Sequence, residues 1–214
     1  GMRIISIRKK DDENVFVQLD DYRQLILSVD TFFKSGLRKG DEVSEDRFSA
    51  LIESNILYRI KKRALSFLAR RPHAEKELLM KLKGKAYDEK LIKLVLKELR
   101  ELSFLNDKDF ALQFLEEKSL KKKWGKLKIK AALLSKGVNV KIIDDVLSES
   151  SIDDMESQQA TELALKKYSV LQKKETDKRK LIQKLIAFLI SRGYKYELSA
   201  EVTRKTVKSD FDDF

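Results

Sequence analysis

Between Lys118 and Lys141 the chain carries nine lysines and no acidic residue in 24 positions. Lys118 opens the block, and Lys121, Lys122, Lys123, Lys126, Lys128 and Lys130 crowd around the only tryptophan, Trp124. Ammonium groups at this density suit phosphates or a carboxylate-rich protein surface, and an indole among them offers a face on which a base can stack. The expected chemistry is recognition of an anionic partner, because an ordinary solvated surface mixes both signs of charge. Trp124 itself reads more readily as a wedge between helices than as a stacking platform. A second basic group, Arg59, Lys61, Lys62, Arg63, Arg70 and Arg71, points in several directions around one helix and cannot form a single stripe. A third, from Lys166 to Lys184, is diluted by Glu175 and Asp177 and is the weaker signal.

Catalysis has little to work with. There is no cysteine, no Gly-rich phosphate loop and no Gly-x-Ser-x-Gly elbow, and His73 is the sole imidazole available as a general base. His73 follows Pro72 at a helix start, where a surface or capping role is expected. Asn106-Asp107-Lys108-Asp109 resembles a fragment of a calcium loop, but Lys108 sits among its carboxylates and no distal glutamate follows, so it reads as a helix cap. Asp144-Asp145 reads as helix surface and Asp153-Asp154 as a linker with helix-capping potential. No enzyme, cofactor or metal site is expected.

The elements that must position the lysines repeat along the chain. Lys85-Ala86-Tyr87, Lys136-Gly137-Val138 and Arg192-Gly193-Tyr194 align, with intervals of 51 and 56 residues between their small residues. Four positions before each small residue stand Leu82, Leu133 and Leu189; four before that stand Leu78, Ile129 and Leu185. Leu91, Ile142 and Leu198, then Val95, Val146 and Val202, follow in step. Spacings of three and four predict helix, turn and helix in each copy, with the glycine terminating the first helix in a left-handed conformation. Asp88 and Asn106 or Asp107 are expected caps.

Upstream the pattern changes. Ile5 and Ile7, then Val15, Val17 and Leu19, then Leu25, Leu27 and Val29 alternate with polar residues and predict two or three antiparallel strands. Asp30 or Thr31 suits the cap of a short helix ending near Gly36. A long helix from Ser44, which ends at Arg71-Pro72, supplies the surface on which so small a sheet must pack. The fold expected is mainly α, an elongated array of three three-helix repeats behind a small β segment. Its divisions are residues 1–43, 44–105, 106–150, 151–206 and a mobile acidic tail, 207–214. Residues 148–157 read as the most loop-like internal stretch, and 173–180 as a charged connection.

Composition agrees with a soluble helical protein: 42% apolar, 8% aromatic and 38% charged residues, one proline and seven glycines in 214 positions. The net charge of +11 lies wholly beyond residue 58, since residues 1–58 carry 9 bases and 11 acids. No segment has the apolar length of a membrane span, and Met2-Arg3-Ile4-Ile5 followed by charges does not read as a signal peptide, so a cytoplasmic monomer is expected.

Several of these motifs, in this order, resemble the bacterial RecX regulatory proteins, which modulate the recombinase RecA. The resemblance rests on Ala64-Leu65-Ser66-Phe67-Leu68-Ala69-Arg70-Arg71, on Glu77-Leu78 with Lys81-Leu82, and on Phe104-Leu105-Asn106-Asp107-Lys108-Asp109-Phe110-Ala111. Gly125, Leu133 and Lys136-Gly137-Val138 extend it. It is strong over residues 64–149, thinner over 157–204 and silent over 1–58. Ala86 departs from the family's usual glycine, and Ala74 from its usual serine or threonine cap. The resemblance implies a non-catalytic protein that binds the RecA filament on single-stranded DNA and inhibits its growth, strand exchange and ATP hydrolysis. A plain nucleic-acid-binding protein, contacting single- or double-stranded DNA directly, is the rival reading. The residues expected to carry either role are Lys118, Lys121, Lys122, Lys123, Trp124, Lys126, Lys128 and Lys130, with Arg70 and Arg71.

Overall fold

The computed structural model describes residues 1–209, so the aromatic and acidic residues 210–214 of the expected tail lie outside the described residues. The chain divides into two compact units, one of residues 1–73 and 78–105 and one of residues 74–77 with the chain from 106 onward.

The first unit begins with a four-stranded antiparallel sheet in the order β3-β2-β1-β4. Its strands are β1 (Met2–Lys9), β2 (Asn14–Leu19), β3 (Gln24–Ser28) and a two-residue β4 (Glu42–Val43). Three strands answer the alternation, whereas β4 is too short to show a period. The register of β1 shifts between Ile4 and Ser6. This bulge lets Met2 and Ile4 on one side of it and Ile7 on the other share the core, and leaves Ile5 exposed, so the inward face expected from Ile5 and Ile7 holds for Ile7 and fails for Ile5. The short helix α1 (Val29–Ser35) is capped by Ser28, whose hydroxyl accepts from the Thr31 N–H, rather than by Asp30 or Thr31. Gly36 ends it in the left-handed region.

The long helix α2 (Glu45–Arg70) starts at Ser44, whose hydroxyl accepts from the Arg47 N–H, and stops before Pro72. Leu51 and Phe48 close the sheet's core of Val17, Leu19, Leu25 and Leu27. Asn55, buried on α2, accepts from the Ser28 N–H at 2.8 Å and donates to the Ile26 carbonyl at 3.0 Å, tying the edge strand to the helix. Farther along α2, Ile60 and Ala64 join α3 (Glu75–Lys83) and α4 (Glu89–Glu101) around Leu78, Leu82, Ile92, Val95, Leu96 and Leu99. Asp88 caps α4. His73 is buried, its Nδ1 2.9 Å from the Arg71 carbonyl and its Nε2 2.8 Å from Lys81 Nζ, so it is a packed residue rather than a surface one.

Among the described residues the second unit holds six further helices: α5 (Asp107–Glu116), α6 (Lys126–Ser135), α7 (Val140–Glu149), α8 (Ile152–Leu171), α9 (Lys178–Ser191) and α10 (Tyr196–Ser209). One π-helical turn, Glu117–Lys121, follows α5. Asn106 caps α5 by accepting from the Lys108 and Asp109 N–H groups. The expected loop at 148–157 shrinks, because the Ser150 hydroxyl accepts from the Ile152 N–H and Asp153-Asp154 become first-turn acids of α8. The charged connection likewise shortens, since Asp177 caps a helix that begins at Lys178.

The aligned positions are core positions. Leu78, Leu82, Ile129, Leu133, Leu185 and Leu189 all have zero exposure, with Val95, Val146 and Val202 close behind. At the shared turn the three copies keep one backbone conformation with different residues: Gly137 and Gly193 take positive φ, and so does Ala86, at 63°. Lys83, Gly84, Lys85 and Ala86 lie exposed, so a methyl group is sterically tolerated there and only the backbone is strained. Left-handed backbone costs a non-glycine residue about 1–2 kcal/mol, partly offset by glycine's greater entropy in the unfolded chain. Ala86→Gly is therefore expected to stabilise the protein by up to about 1 kcal/mol, read as a higher urea midpoint at unchanged slope.

Candidate partner-binding surface

The lysine block occupies the π-helical turn, the link that follows it and helix α6. Lys118 and Lys121 lie in the turn; Lys122, Lys123, Trp124 and Gly125 form the link, with Lys123 in the left-handed region at φ 51°. Lys126, Lys128 and Lys130 lie on α6. The Trp124 N–H donates to the Lys118 carbonyl at 2.9 Å and closes the turn. The indole is half-buried, edge-on to Phe114 at a centroid distance of 6.4 Å, against the core formed by Phe110, Ile129, Leu133, Ile143 and Val146. Lys128 Nζ lies 4.6 Å and Lys118 Nζ 5.4 Å from its centroid. Trp124 thus packs as a wedge that holds two ammonium groups.

Space supplies the acids that the segment lacks. Lys123 pairs with Glu162, Lys126 with Asp153 at 3.1 Å, Lys130 with Asp144 at 2.7 Å and Lys136 with Glu77 at 3.3 Å. Lys118 pairs with Glu117 at 3.0 Å, and Lys128 donates to the Ser191 carbonyl at 3.3 Å. The hydrogen bonds from Lys118 and Lys123 hold the Glu117 and Glu162 carboxyls below the usual range. Exposed ion pairs of this kind contribute little to stability, but they neutralise much of the positive field. Lys121, Lys122 and Lys141 are exposed and make no ion pair among the described residues. Beside the first two stands Leu120, 49% exposed, and on α6 Leu127, Ala131 and Leu134 form an exposed stripe at helical spacing. These leucines fall outside the positions shared by all three copies, which was the sequence signal that could have marked them.

The link is held in shape by the third copy. The Gly125 N–H donates to the Arg192 carbonyl at 2.8 Å, and the Leu127 N–H to the Gly193 carbonyl at 3.1 Å. Glu156 accepts from the Lys126 N–H at 2.7 Å, so the N-terminus of α6, capped by a glycine with no side chain, is satisfied from outside. Burial pushes the Glu156 carboxyl up, against the pull of that hydrogen bond. The Tyr194 hydroxyl donates to the Lys123 carbonyl at 2.7 Å, and the Arg192 guanidinium donates to the Lys122 carbonyl. The turn of the second copy receives the start of α3 in a comparable way, with Gly137 against Lys76 and Lys136 paired to Glu77.

Arg70 and Arg71 belong to the other unit. Arg70 is exposed in the last turn of α2, and Arg71 donates to the Pro72 carbonyl at 2.9 Å. No helix among the described residues is long and apolar enough to cross a membrane.

A helix-turn-helix copied three times, each turn after the first receiving the start of a helix from the preceding copy, defines a protein of tandem three-helix domains. Family models describe the same three domains as the first, second and third three-helix domains of RecX, matching residues 61–99, 106–147 and 153–203. Regulatory protein RecX of Clostridium acetobutylicum is 36% identical over 202 residues, which is 94% of either chain. That of Clostridium beijerinckii is 34% identical over 213 residues, covering 100% of this chain and 99% of the relative. The chain belongs to the RecX regulatory protein family. A crystal structure of regulatory protein RecX shares the fold at a TM-score of 0.74 and 21% identity, over 95% of this chain and 100% of the other. RecX from Lactobacillus salivarius shares it at 0.62 and 22% identity, over 72% of this chain and 97% of the other.

Proposed function

We propose that this protein binds the RecA recombinase in its filament on single-stranded DNA and inhibits ATP hydrolysis and strand exchange, without catalysing a reaction itself. Family membership supports RecA as the partner. The observation that carries the choice of surface is the pair of ammonium groups, Lys121 and Lys122, that make no ion pair among the described residues, beside exposed Leu120 on a turn fixed from behind by Arg192 and Tyr194. A surface of two charges and a leucine, with the exposed stripe of Leu127, Ala131 and Leu134 on α6 as a second apolar element, is complementary to a protein carrying carboxylates and apolar side chains. Bare DNA would use the charges and leave the leucines in water. Lys118, Lys128 and Trp124 are assigned to shaping the turn, and Lys123, Lys126 and Lys130 to its ion pairs. Arg70 and Arg71 are assigned a separate contact from the first unit.

The plain nucleic-acid reading loses ground because most lysines of the block already have acidic partners. Sedimentation separates the two. At physiological salt the protein is expected to pellet with RecA-coated single-stranded DNA and to stay in solution with bare DNA. Equal retention on both would replace the proposal with its rival.

A further inference from the structure

The ion pairs reverse the ranking of basic groups that the sequence suggests. Around the turn between α8 and α9, Lys166, Lys173, Lys174, Arg179 and Lys180 are exposed and make no ion pair among the described residues. The two acids that dilute this group in sequence are committed elsewhere. Glu175 is held by Lys184 at 2.7 Å, a hydrogen bond that keeps its carboxyl below the usual range, and it also accepts from the Asp177 N–H at 3.2 Å. Asp177 caps α9, accepting from the Arg179 and Lys180 N–H groups at 2.9 and 3.4 Å. Five cations without an ion pair therefore stand within fifteen residues, where the lysine block keeps three in twenty-four, although Lys166 lies near enough to Glu162 and Lys180 to Glu175 to help lower those carboxyls.

Comparison of the copies shows why they stand in the open. Helix α3 starts three residues before Leu78 and α6 three residues before Ile129, and both starts are covered by the turn of the next copy. Helix α9 starts seven residues before the equivalent Leu185. The additional turn is Lys178-Arg179-Lys180-Leu181, and residues 176–180 are all exposed. Positive charge in the first turn of a helix opposes the helix dipole, so the dipole gives no reason to place Arg179 and Lys180 there. Val170 is the one large apolar residue exposed between Lys166 and Lys184, which makes the surface cationic without the apolar anchors of a protein-binding site.

We propose that the α8–α9 turn is a contact site for the phosphodiester backbone of nucleic acid, engaged through Lys166, Lys173, Lys174, Arg179 and Lys180 without base readout. It is independent of the Lys121-Lys122 surface, and a regulator docked on a nucleoprotein filament would gain avidity from it. Five phosphate contacts on a single strand give a log–log salt slope of roughly −3.5, so affinity falls roughly a hundredfold between 50 and 200 mM salt.

Fluorescence anisotropy of the full chain with a labelled oligothymidylate, and with a duplex of equal length, tests this. The variant K173A/K174A/R179A/K180A is compared with K10A/K39A/K90A/K97A, which removes the same charge from exposed residues of the first unit that make no ion pair among the described residues. The first variant is expected to lose more than tenfold in affinity at 50 mM salt and to flatten the slope by roughly 2.8; the second stays within about threefold of the parent, since its cations lie outside the contact. Preference between strand and duplex tells which nucleic acid is engaged. Thermal melting is expected to be unchanged or raised in the first variant, because it relieves charge at the start of α9. Equal losses in both variants, no loss in either, or retention of the parent chain by phosphatidylglycerol vesicles but not by DNA would each overturn the assignment. RecA inhibition is not the readout, so a negative result here leaves the proposed function standing and the converse also holds.

Discussion

Gly193→Ala is expected to destabilise the protein by about 3 kcal/mol, from left-handed strain of about 1–2 kcal/mol added to overpacking of about 1–3 kcal/mol. The backbone sits at φ 98°, where an L side chain is strained. A Cβ there would stand 2.4 Å from Lys128 Cβ, 2.6 Å from the Lys128 nitrogen and 2.8 Å from the Gly125 carbonyl oxygen. Two of those three atoms are backbone and cannot swing away. Gly125→Ala meets the same junction from the other side, with its Cβ 2.4 Å from the Gly193 carbonyl carbon and oxygen. Separation of the two segments would break the hydrogen bonds from the Gly125 and Leu127 N–H groups and leave the start of α6 unsatisfied. Gly84→Ala is the internal contrast, because its Cβ would meet nothing nearer than 3.4 Å at ordinary φ. Urea unfolding should show midpoints well below the parent for the first two variants and near it for the third.

Lys121→Glu with Lys122→Glu is expected to weaken inhibition of RecA roughly a hundredfold, since placing like charges across an interface costs several kcal/mol and each tenfold corresponds to about 1.4 kcal/mol. The fold should be indifferent. Both side chains are exposed and neither makes an ion pair among the described residues, so their reversal breaks no contact that stabilises the unit. Reversal of Lys126 would be a poorer probe, because it would set a carboxylate against Asp153 and disturb α6 as well as any partner.

Period carried most of the scaffold. Leu78, Leu82, Ile129, Leu133, Leu185 and Leu189 were legible because a helix core repeats at three and four residues and the copies reinforce one another. The caps at Ser44, Asp88 and Asn106 were legible because capping is local chemistry. The inward face of β1 was legible at Ile7 but not at Ile4 and Ile5, since a bulge between Ile4 and Ser6 switches which alternate residues face the core. The third copy matched the others thinly for a physical reason: Ser199 and Thr203 stand where Ile92 and Leu96, or Ile143 and Leu147, stand in the first two. Both are fully buried, with hydroxyl oxygens that have no hydrogen-bond partner among the described residues, and so weaken the apolar pattern within a core.

The candidate surface was half legible. Charge counted along the chain found the lysines but could not find Glu162, Asp153 and Asp144, which arrive from other helices. Nor could it find the Arg192-Gly193-Tyr194 turn, about seventy residues away, that fixes the backbone of Lys122 and Lys123. Ala86, a departure when judged by motif, follows from its place on the one turn of the three that lies exposed. Gly193 cannot depart, because its turn receives Gly125 and Lys128.

The proposed restraint of RecA through the turn bearing Lys121 and Lys122 is tested most directly by ATP hydrolysis of RecA on single-stranded DNA, measured against increasing amounts of the parent chain and of K121E/K122E. The expected result is a rate that falls as the parent chain is added and is restored toward the uninhibited rate by the variant at the same concentration. An unchanged rate at every ratio of parent chain to RecA would contradict the function, and equal inhibition by the variant would contradict the surface assigned to it.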